Sequence, residues 1–162
     1  MSRSFLLGFG ATVIVIATLA WFGYSSTRGN HLEPTGKIGK VRTQKLDDNV
    51  VAVIYDFKVK NDSDRGMIVR SAEARIEMPD GTEATGLNLA VSDAPKIFAA
   101  YPGLGEQFNK VLPERGVIPP HSETDWMILS RFEFPADKID SRKRVTLTLE
   151  DITGPKLVLE AK

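Results

Sequence analysis

The strongest hydrophobic pattern in the chain is an uninterrupted apolar run near the N-terminus. Residues 5–24 contain no charged side chain, with Arg3 before the run and Arg28 after it. A helix of this length, with a rise of about 1.5 Å per residue, extends about 30 Å, the thickness of a bilayer's hydrocarbon core. The pattern therefore predicts an N-terminal transmembrane anchor over residues 1–24 that contacts the lipid bilayer through residues 5–24.

A cleaved signal peptide is the alternative interpretation of the same segment. Residues 18–20 can supply a cleavage site. The run is longer than the roughly 7–15 residues of a signal-peptide core, and the bulky residues 21–22 continue it, which favours an anchor. Ser4, Gly8 and Thr12 recur every four residues on one helix face, a spacing that allows weak self-association of two such helices.

The orientation of this single-pass helix depends on two opposing signals. Arg3 before a short N-terminal anchor favours export of the residues that follow it. Residues 25–45 are rich in Lys and Arg, which favours retention on the cytoplasmic side. Long domains are translocated largely regardless of such charges, so we expect an extracytoplasmic, periplasmic C-terminal domain.

The remainder of the chain divides into a tether and one domain. Residues 25–36 are polar and contain several turn formers, which is typical of a linker. Residues 37–162 are sufficient for one hydrophobic core. Residues 31–162 carry 19 basic and 21 acidic side chains, a net charge of about −2. Nucleic-acid binding requires clustered positive charge, so no nucleic-acid partner is expected.

Alternating apolar and polar positions predict β-strands in the domain. Residues 49–60 place valines and aromatic residues at every second position, which predicts a strand with one buried and one solvent-exposed face, and apolar residues alternate in the same way in residues 143–150. Residues 125–134 are apolar on both faces, which predicts a central strand, and Asp80-Gly81 predicts a tight hairpin between two further strands. With strands near residues 38–46 and 157–159, the pattern predicts an all-β, seven-stranded, immunoglobulin-like antiparallel sandwich.

A short helical insertion, at about residues 92–112, interrupts the β pattern. Ser92 is the predicted N-cap, and proline follows in the first turn. The insertion either caps an open end of the sandwich or presents a partner-binding edge, and we expect its removal to leave the domain folded. Its candidate partner-binding residues are the large apolar side chains Ile97, Phe98, Tyr101, Leu104 and Phe108.

Few residues point to catalysis or to a metal site. The chain has no cysteine, which excludes thiolate chemistry and Cys-based metal sites. His121, Glu123 and Asp125 alternate at a strand entrance, a pattern more typical of solvent-facing positions than of metal ligands. We expect no enzyme activity, cofactor or metal. The basic residues of the predicted first strand, including Arg42, are expected to face solvent or anionic lipid.

Three segments resemble bacterial membrane-anchored domains related to the FxLYD and late-embryogenesis-abundant type 2 groups. These segments are residues 55–64, residues 78–81 and residues 116–126. The resemblance covers residues 49–135 and implies an immunoglobulin-like sandwich on a membrane anchor, with no catalytic residue to transfer. Pro-His-Ser at residues 120–122 replaces the usual Pro-Gly-Glu turn.

The sequence favours a non-enzymatic binding or assembly module of the cell envelope with a protein partner. The alternative is a binder of lipid or of a small apolar ligand, with a pocket near the insertion. A filled core with an exposed apolar patch favours the first function, and an open apolar pocket favours the second.

Overall fold

The computed structural model describes the backbone of residues 3–27 and 32–162 and the side chains of residues 12–24 and 32–162. The chain begins with helix α1 (Arg3–Thr27). The domain contains eight strands and one short helix, in the order β1 (Thr35–Asp47), β2 (Val50–Asn61), β3 (Met67–Glu77), β4 (Glu83–Asn88), α2 (Ala94–Ala100), β5 (Val117–Ile118), β6 (Ser122–Glu133), β7 (Arg144–Asp151) and β8 (Lys156–Ala161).

Helix α1 exposes its side chains along the whole described part. Every side chain from Thr12 to Tyr24 is exposed, including Trp21 and Phe22, each with 72% of its surface accessible. Within the part of the chain that the structure describes, no helix has both the length and the hydropathy of a membrane span. For Ser4 and Gly8, predicted to mediate self-association, the structure describes the backbone alone, and residues 28–31 of the predicted tether lie outside the described residues.

The strands form one antiparallel sheet that folds into two layers, with the order β1-β2-β6-β4-β3-β7-β8. The long pairings β1/β2 and β2/β6 build one layer, while β3, β7 and β8 build the other. Strand β4 belongs to both, because it pairs with β3 and briefly with β6. Strands β1 and β8, which stand at the two ends of this order, also approach each other, because a Cβ added to Gly36 of β1 would lie 3.1 Å from Leu159 Cδ2 of β8.

The predicted all-β antiparallel sandwich with a short helical insertion is confirmed, but the prediction of seven strands is wrong. The additional strand is β5, a two-residue segment that pairs with the start of β3. A segment this short carries no measurable alternation, so the sequence pattern does not reveal it. The Asp80-Gly81 hairpin is confirmed between β3 and β4, with Gly81 at a φ of +84° that a tight turn needs.

The main core lies between the two layers. It contains the inward side chains of five long strands, among them Val53 and Phe57 of β2, Ile76 of β3 and Leu147 of β7. All four are at most 2% exposed. The alternation of β2 predicts these inward positions correctly, because one face of a two-layer sandwich is withdrawn from water.

The opposite face of β2 differs from the predicted solvent-exposed face. Ala52 and Ile54 are completely buried, and Asp56 is 6% exposed. These residues lie beneath the insertion, which covers the outer side of β2 and β6. The predicted N-cap is also wrong. Asp93 occupies that position without a side-chain capping bond, and Ser92 lies in a preceding 3-10 turn.

Candidate binding surfaces

A second, smaller core lies between the insertion and the outer face of the β2/β6 layer. Its fully or almost fully buried members come from β2, β6 and the insertion, and they are Ala52, Ile54, Ala94, Leu104, Val111, Met127 and Leu129. The insertion returns to the sheet through Val111, which forms a parallel bridge with Met127. The insertion is therefore an integral layer of the domain, and its removal would expose an apolar sheet face to water. The expectation that the domain folds without it conflicts with this burial.

A buried ion pair fastens the insertion to the sheet. Arg42 of β1 donates Nε and Nη2 to Asp56 Oδ2 of β2, at 3.1 and 2.8 Å. Its Nη1 donates to the backbone carbonyls of Leu104 and Glu106 of the insertion, both at 2.8 Å. Asn109 Nδ2 donates to the other carboxylate oxygen of Asp56 at 2.9 Å. Arg42 and Asp56 thus each form hydrogen bonds with the insertion as well as with each other. These bonds offset the cost of removing two charges from water.

Two aromatic rings of the insertion lie against the same guanidinium group. The centroids of Phe98 and Phe108 are each 5.3 Å from Arg42 Cζ, within cation–π range. Lys40 Nζ lies 5.4 Å from the Phe108 ring. The prediction that Arg42 faces solvent or lipid is wrong, because Arg42 is only 8% exposed and its charge is used inside the protein.

The five candidate partner-binding residues divide between the second core and the surface. Leu104 is 3% exposed and belongs to the second core. Ile97, Phe98 and Tyr101 are partly buried and pack against the same core. Phe108 is 62% exposed. As the insertion lies in this structure, Phe108 presents by far the largest apolar area of the five to a partner.

A cleft of about 720 Å³ opens where the insertion leaves and rejoins the sheet. Its apolar walls include Val69 of β3, Leu89, Val111 and Leu112, and its rim carries Arg70. A volume of this size lies in the range of small-molecule pockets. The cleft lies beside the insertion, but none of the five candidate partner-binding residues lines it.

A second cleft, of about 610 Å³, lies at the opposite end of β4. It opens between β4 and the end of β6, and it is bordered by the 79–82 turn and the 135–141 segment. Phe134 and Ala84 line its inner side, and Leu87, with 66% of its surface exposed, stands on its rim. No sequence pattern predicts this cleft.

At another end of the domain, buried polar side chains hold loops in place. Asn61 is completely buried, donates Nδ2 to the carbonyl of Arg65 at 2.8 Å and accepts from Ser63 Oγ at 2.6 Å. Asp151, also completely buried, accepts hydrogen bonds from the backbone N–H groups of Ile68 and Thr153 at 2.7 and 2.8 Å. These bonds replace those that water would make.

The hydrogen bonds also set the charge state of Asp151. Burial by itself raises the pKa of this carboxyl group. The hydroxyl and backbone N–H of Thr153, the N–H of Ile68 and the nearby Arg65 act in the opposite direction and outweigh burial. The pKa of Asp151 is therefore lowered below its ordinary value, and the group is ionised near neutral pH.

The residues considered for a metal site contact different partners. His121 Nε2 lies 2.8 Å from Asp64 Oδ1 on the surface, whereas Glu123 and Asp125 both pair with Lys58 of β2. Among residues with described side chains, no group of three His, Cys, Asp or Glu is arranged to hold a metal ion.

The Arg42–Asp56 pair is the central polar feature that sequence analysis missed. A signal for it does exist, since Asp56 follows Ala52 and Ile54 on the same face of a strand. Apolar residues on both faces of half a strand indicate a covering layer. A carboxylate at the end of that covered half requires a buried cationic partner, and Arg42 on the preceding strand is within reach.

Comparison with known proteins gives only distant structural likeness. No protein-family model and no curated protein matches the sequence. An uncharacterised β-sandwich protein from Clostridium difficile 630 is 13% identical with a TM-score of 0.38, covering 82% of each chain. The archaellum periplasmic stator protein FlaG from Sulfolobus acidocaldarius is 8% identical with a TM-score of 0.33, covering 80% of this chain and 100% of that chain. Likeness at this level does not inform function.

Proposed function

We propose that this protein is a membrane-anchored, extracytoplasmic and non-enzymatic binding module of the cell envelope. The observation that carries the proposal is the exposure of α1. Its described side chains from Val13 to Tyr24 include eight large hydrophobic residues that are 48–72% exposed. Exposed apolar surface of this kind is stabilised by transfer out of water, and the charge-free sequence of residues 5–24 suits a lipid environment.

The domain that follows α1 has hydrophobic cores of its own, which a binding module separate from its anchor requires. Both hydrophobic clusters are built from residues of the segment 32–161. The buried polar groups described above, such as the Arg42–Asp56 pair and Asp151, hold loops in fixed positions. A rigid sandwich with fixed loops is a common scaffold for recognition. The exposed Phe108, mounted on the fastened insertion beside Lys40, is a suitable aromatic anchor for a partner.

The anchor is tested first, by fractionation of cells that express the full chain. We expect the protein to remain in the membrane pellet after alkaline carbonate extraction. The variant with Ile14→Lys and Ile16→Lys should move to the soluble fraction, because two charges in the apolar run oppose insertion. A matched variant with Val117→Lys and Val158→Lys, at exposed strand positions, should stay in the pellet. Extraction of the unaltered chain by carbonate would overturn the anchor.

Orientation is tested separately with a single engineered cysteine, since the chain has none of its own. The exposed position Val158 of β8 is suitable for a Val158→Cys variant. We expect a membrane-impermeant maleimide to label this variant in intact spheroplasts as strongly as in lysed ones. Labelling that requires lysis would place the domain in the cytoplasm and contradict the extracytoplasmic assignment.

A second candidate function is supported by the cleft of about 720 Å³ at the root of the insertion. Its apolar walls and polar rim suit a small apolar ligand with one polar group. The probe is 1-anilinonaphthalene-8-sulfonate, added to the full chain in lipid nanodiscs that have been measured empty as a blank. An Ala90→Trp substitution, at an exposed position in the cleft lining, should fill the cleft and remove the protein-dependent fluorescence, whereas Val158→Trp on the surface of β8 should not. Equal fluorescence in both variants would contradict a ligand site in this cleft.

A further inference from the structure

Strands β4 and β6 separate after a very short pairing. They form a ladder through Leu87 and Asn88 of β4. Residues 83–86 of β4 pair with β3 on their other side, and residues 132–133 of β6 pair with β2. In the described structure, no ladder joins these two segments across the gap. Two strand edges therefore border the same cleft, the one of about 610 Å³.

A packed aromatic ring lies at the point where the two strands diverge. The ring of Phe132 lies against Gly86, where an added Cβ would come within 2.5 Å of its Cζ. Phe132 is completely buried and makes an edge-to-face contact with Phe134, with ring centroids 6.2 Å apart. The opening therefore begins beside a packed part of the core, at the position where the ladder would otherwise continue.

Inward-facing and outward-facing residues alternate along the β4 wall of the cleft, as contact with a neighbouring strand would require. On β4, Ala84 and Gly86 face inward, while Thr85 and Leu87 face outward and are exposed. The inner side is apolar, with Ala84 and Phe134. The rim carries charges of both signs and neither sign dominates. Arg131 Nη2 lies 2.8 Å from Glu133 Oε1, Glu83 pairs with Arg75 at 3.8 Å, and Asp80 and Lys138 line the turn end of the cleft. An added strand with small apolar side chains facing inward and uncharged side chains facing outward would match both surfaces.

We propose that this cleft binds an extended, uncharged peptide segment of a partner protein by strand addition. The inference rests on the proposed function, because it specifies the partner chemistry of the binding module. Strand edges present backbone N–H and C=O groups, which a peptide backbone complements directly. Alternate apolar side chains of the segment contact Phe134 and Ala84, and the exposed Leu87 contacts the outward side of the segment.

The test uses the full chain in lipid nanodiscs and hydrogen–deuterium exchange. The probes are three acetylated and amidated hexapeptides that alternate threonine with alanine, valine or isoleucine. We expect at least one peptide to slow exchange in residues 83–88 and 130–135. The same peptide with N-methyl groups on alternate amides keeps its side chains but loses the donors of one edge. It should bind at least tenfold more weakly, because several backbone hydrogen bonds are lost.

A matched pair of variants localises the binding. Leu87→Asp changes an exposed rim residue and should weaken peptide binding about tenfold, whereas Val158→Asp, at an exposed position of β8, should leave it unchanged. Equal affinity of the methylated peptide, absence of protection by all three peptides, or the same weakening in both variants would overturn the proposal. Concentration-dependent dimers that protect residues 83–88 would also overturn it, in favour of a second copy as occupant.

Carbonate extraction of the same protein from cell membranes tests the anchor independently of peptide binding. Peptide binding is measured on protein that has already been purified in nanodiscs. Loss of peptide binding in a sample that stays in the membrane fraction would overturn the cleft assignment alone. Carbonate extraction of a protein that binds the peptide would overturn the anchor alone.

Discussion

The two cores of the domain share strand β2 but are stabilised differently. Phe57 points into the main core, where its neighbours are apolar side chains from both layers. The adjacent Asp56 points to the opposite face, where its carboxylate binds Arg42 at 2.8 Å beneath the insertion. Two consecutive residues of β2 thus have different roles. Phe57 packs in the apolar main core, and Asp56 forms the ion pair that holds the insertion.

This difference has a physical origin in how much surface each core withdraws from water. The main core is enclosed by two sheet layers and needs no directional interactions. The second core is small, so its apolar burial is limited, and the insertion that closes it contains backbone carbonyls that need donors. The Arg42 guanidinium supplies these donors to Leu104 and Glu106. The comparison predicts global effects for substitutions in the main core and more local effects for those beneath the insertion.

The largest effect is expected for Phe57→Ala in the main core. Phe57 is 2% exposed, and removal of its ring should lower the free energy of unfolding by about 4 kcal/mol. Urea denaturation followed by circular dichroism measures the change, with Val158→Ala on the surface as the control. A loss below 1 kcal/mol would mean that the main core does not carry the stability of the domain.

A somewhat smaller effect is expected for Asp56→Ala beneath the insertion. The substitution leaves Arg42 buried without its carboxylate, which should cost about 3 kcal/mol. Because the insertion can open and admit water, hydrogen exchange should increase first in residues 94–112. Asp48→Ala, at an exposed turn, is the control. Uniformly faster exchange in all strands would contradict a local fastening and remove the distinction between the two cores.

The Asp151→Asn substitution is expected to lower stability by about 2 kcal/mol at pH 7, because an amide cannot accept all the hydrogen bonds of the carboxylate. The pKa of Asp151 is lowered in the folded protein. Its stabilisation is therefore present above the unfolded-state pKa of about 3.9 and is lost as the pH falls through the lower folded value.

The difference in unfolding free energy between the unaltered protein and this variant should consequently shrink at low pH. Urea denaturation at pH 7 and at successive values below pH 4 measures it. Asp140→Asn, at an exposed position, should show no comparable change with pH. A constant difference at all pH values would contradict the assigned role of the ionised carboxylate.

The smallest effect is expected for Phe108→Ala. Phe108 is 62% exposed, so its contact with Arg42 should contribute only about 0.5–1 kcal/mol to the free energy of unfolding. Thermal denaturation of Phe108→Ala and of the control Val117→Ala, also an exposed position, measures the difference. A loss above 2 kcal/mol would show that Phe108 supports the second core rather than presenting a surface to a partner.

Some candidate sites were predictable from the sequence and others were not. Ile97, Phe98 and Tyr101 have helical spacing, which predicts an apolar face but not whether a partner or the sheet covers it. The structure directs this face toward the second core. The cleft between β4 and β6 escaped prediction, because it depends on where the Phe132 ring packs relative to Gly86, two residues far apart in sequence.

Local sequence patterns were sufficient to predict the main strands, the inward residues of the main core, the β3/β4 hairpin and the presence of an inserted helix. These features depend on alternation and turn chemistry, which act over a few neighbouring residues. The anchor and the resemblance to membrane-anchored sandwich families stay predictions. The burial of Arg42 with Asp56, the second core and the two clefts became visible in the folded domain alone. Each of these arises from side chains on different strands, and their energies depend on which surfaces the fold excludes from water.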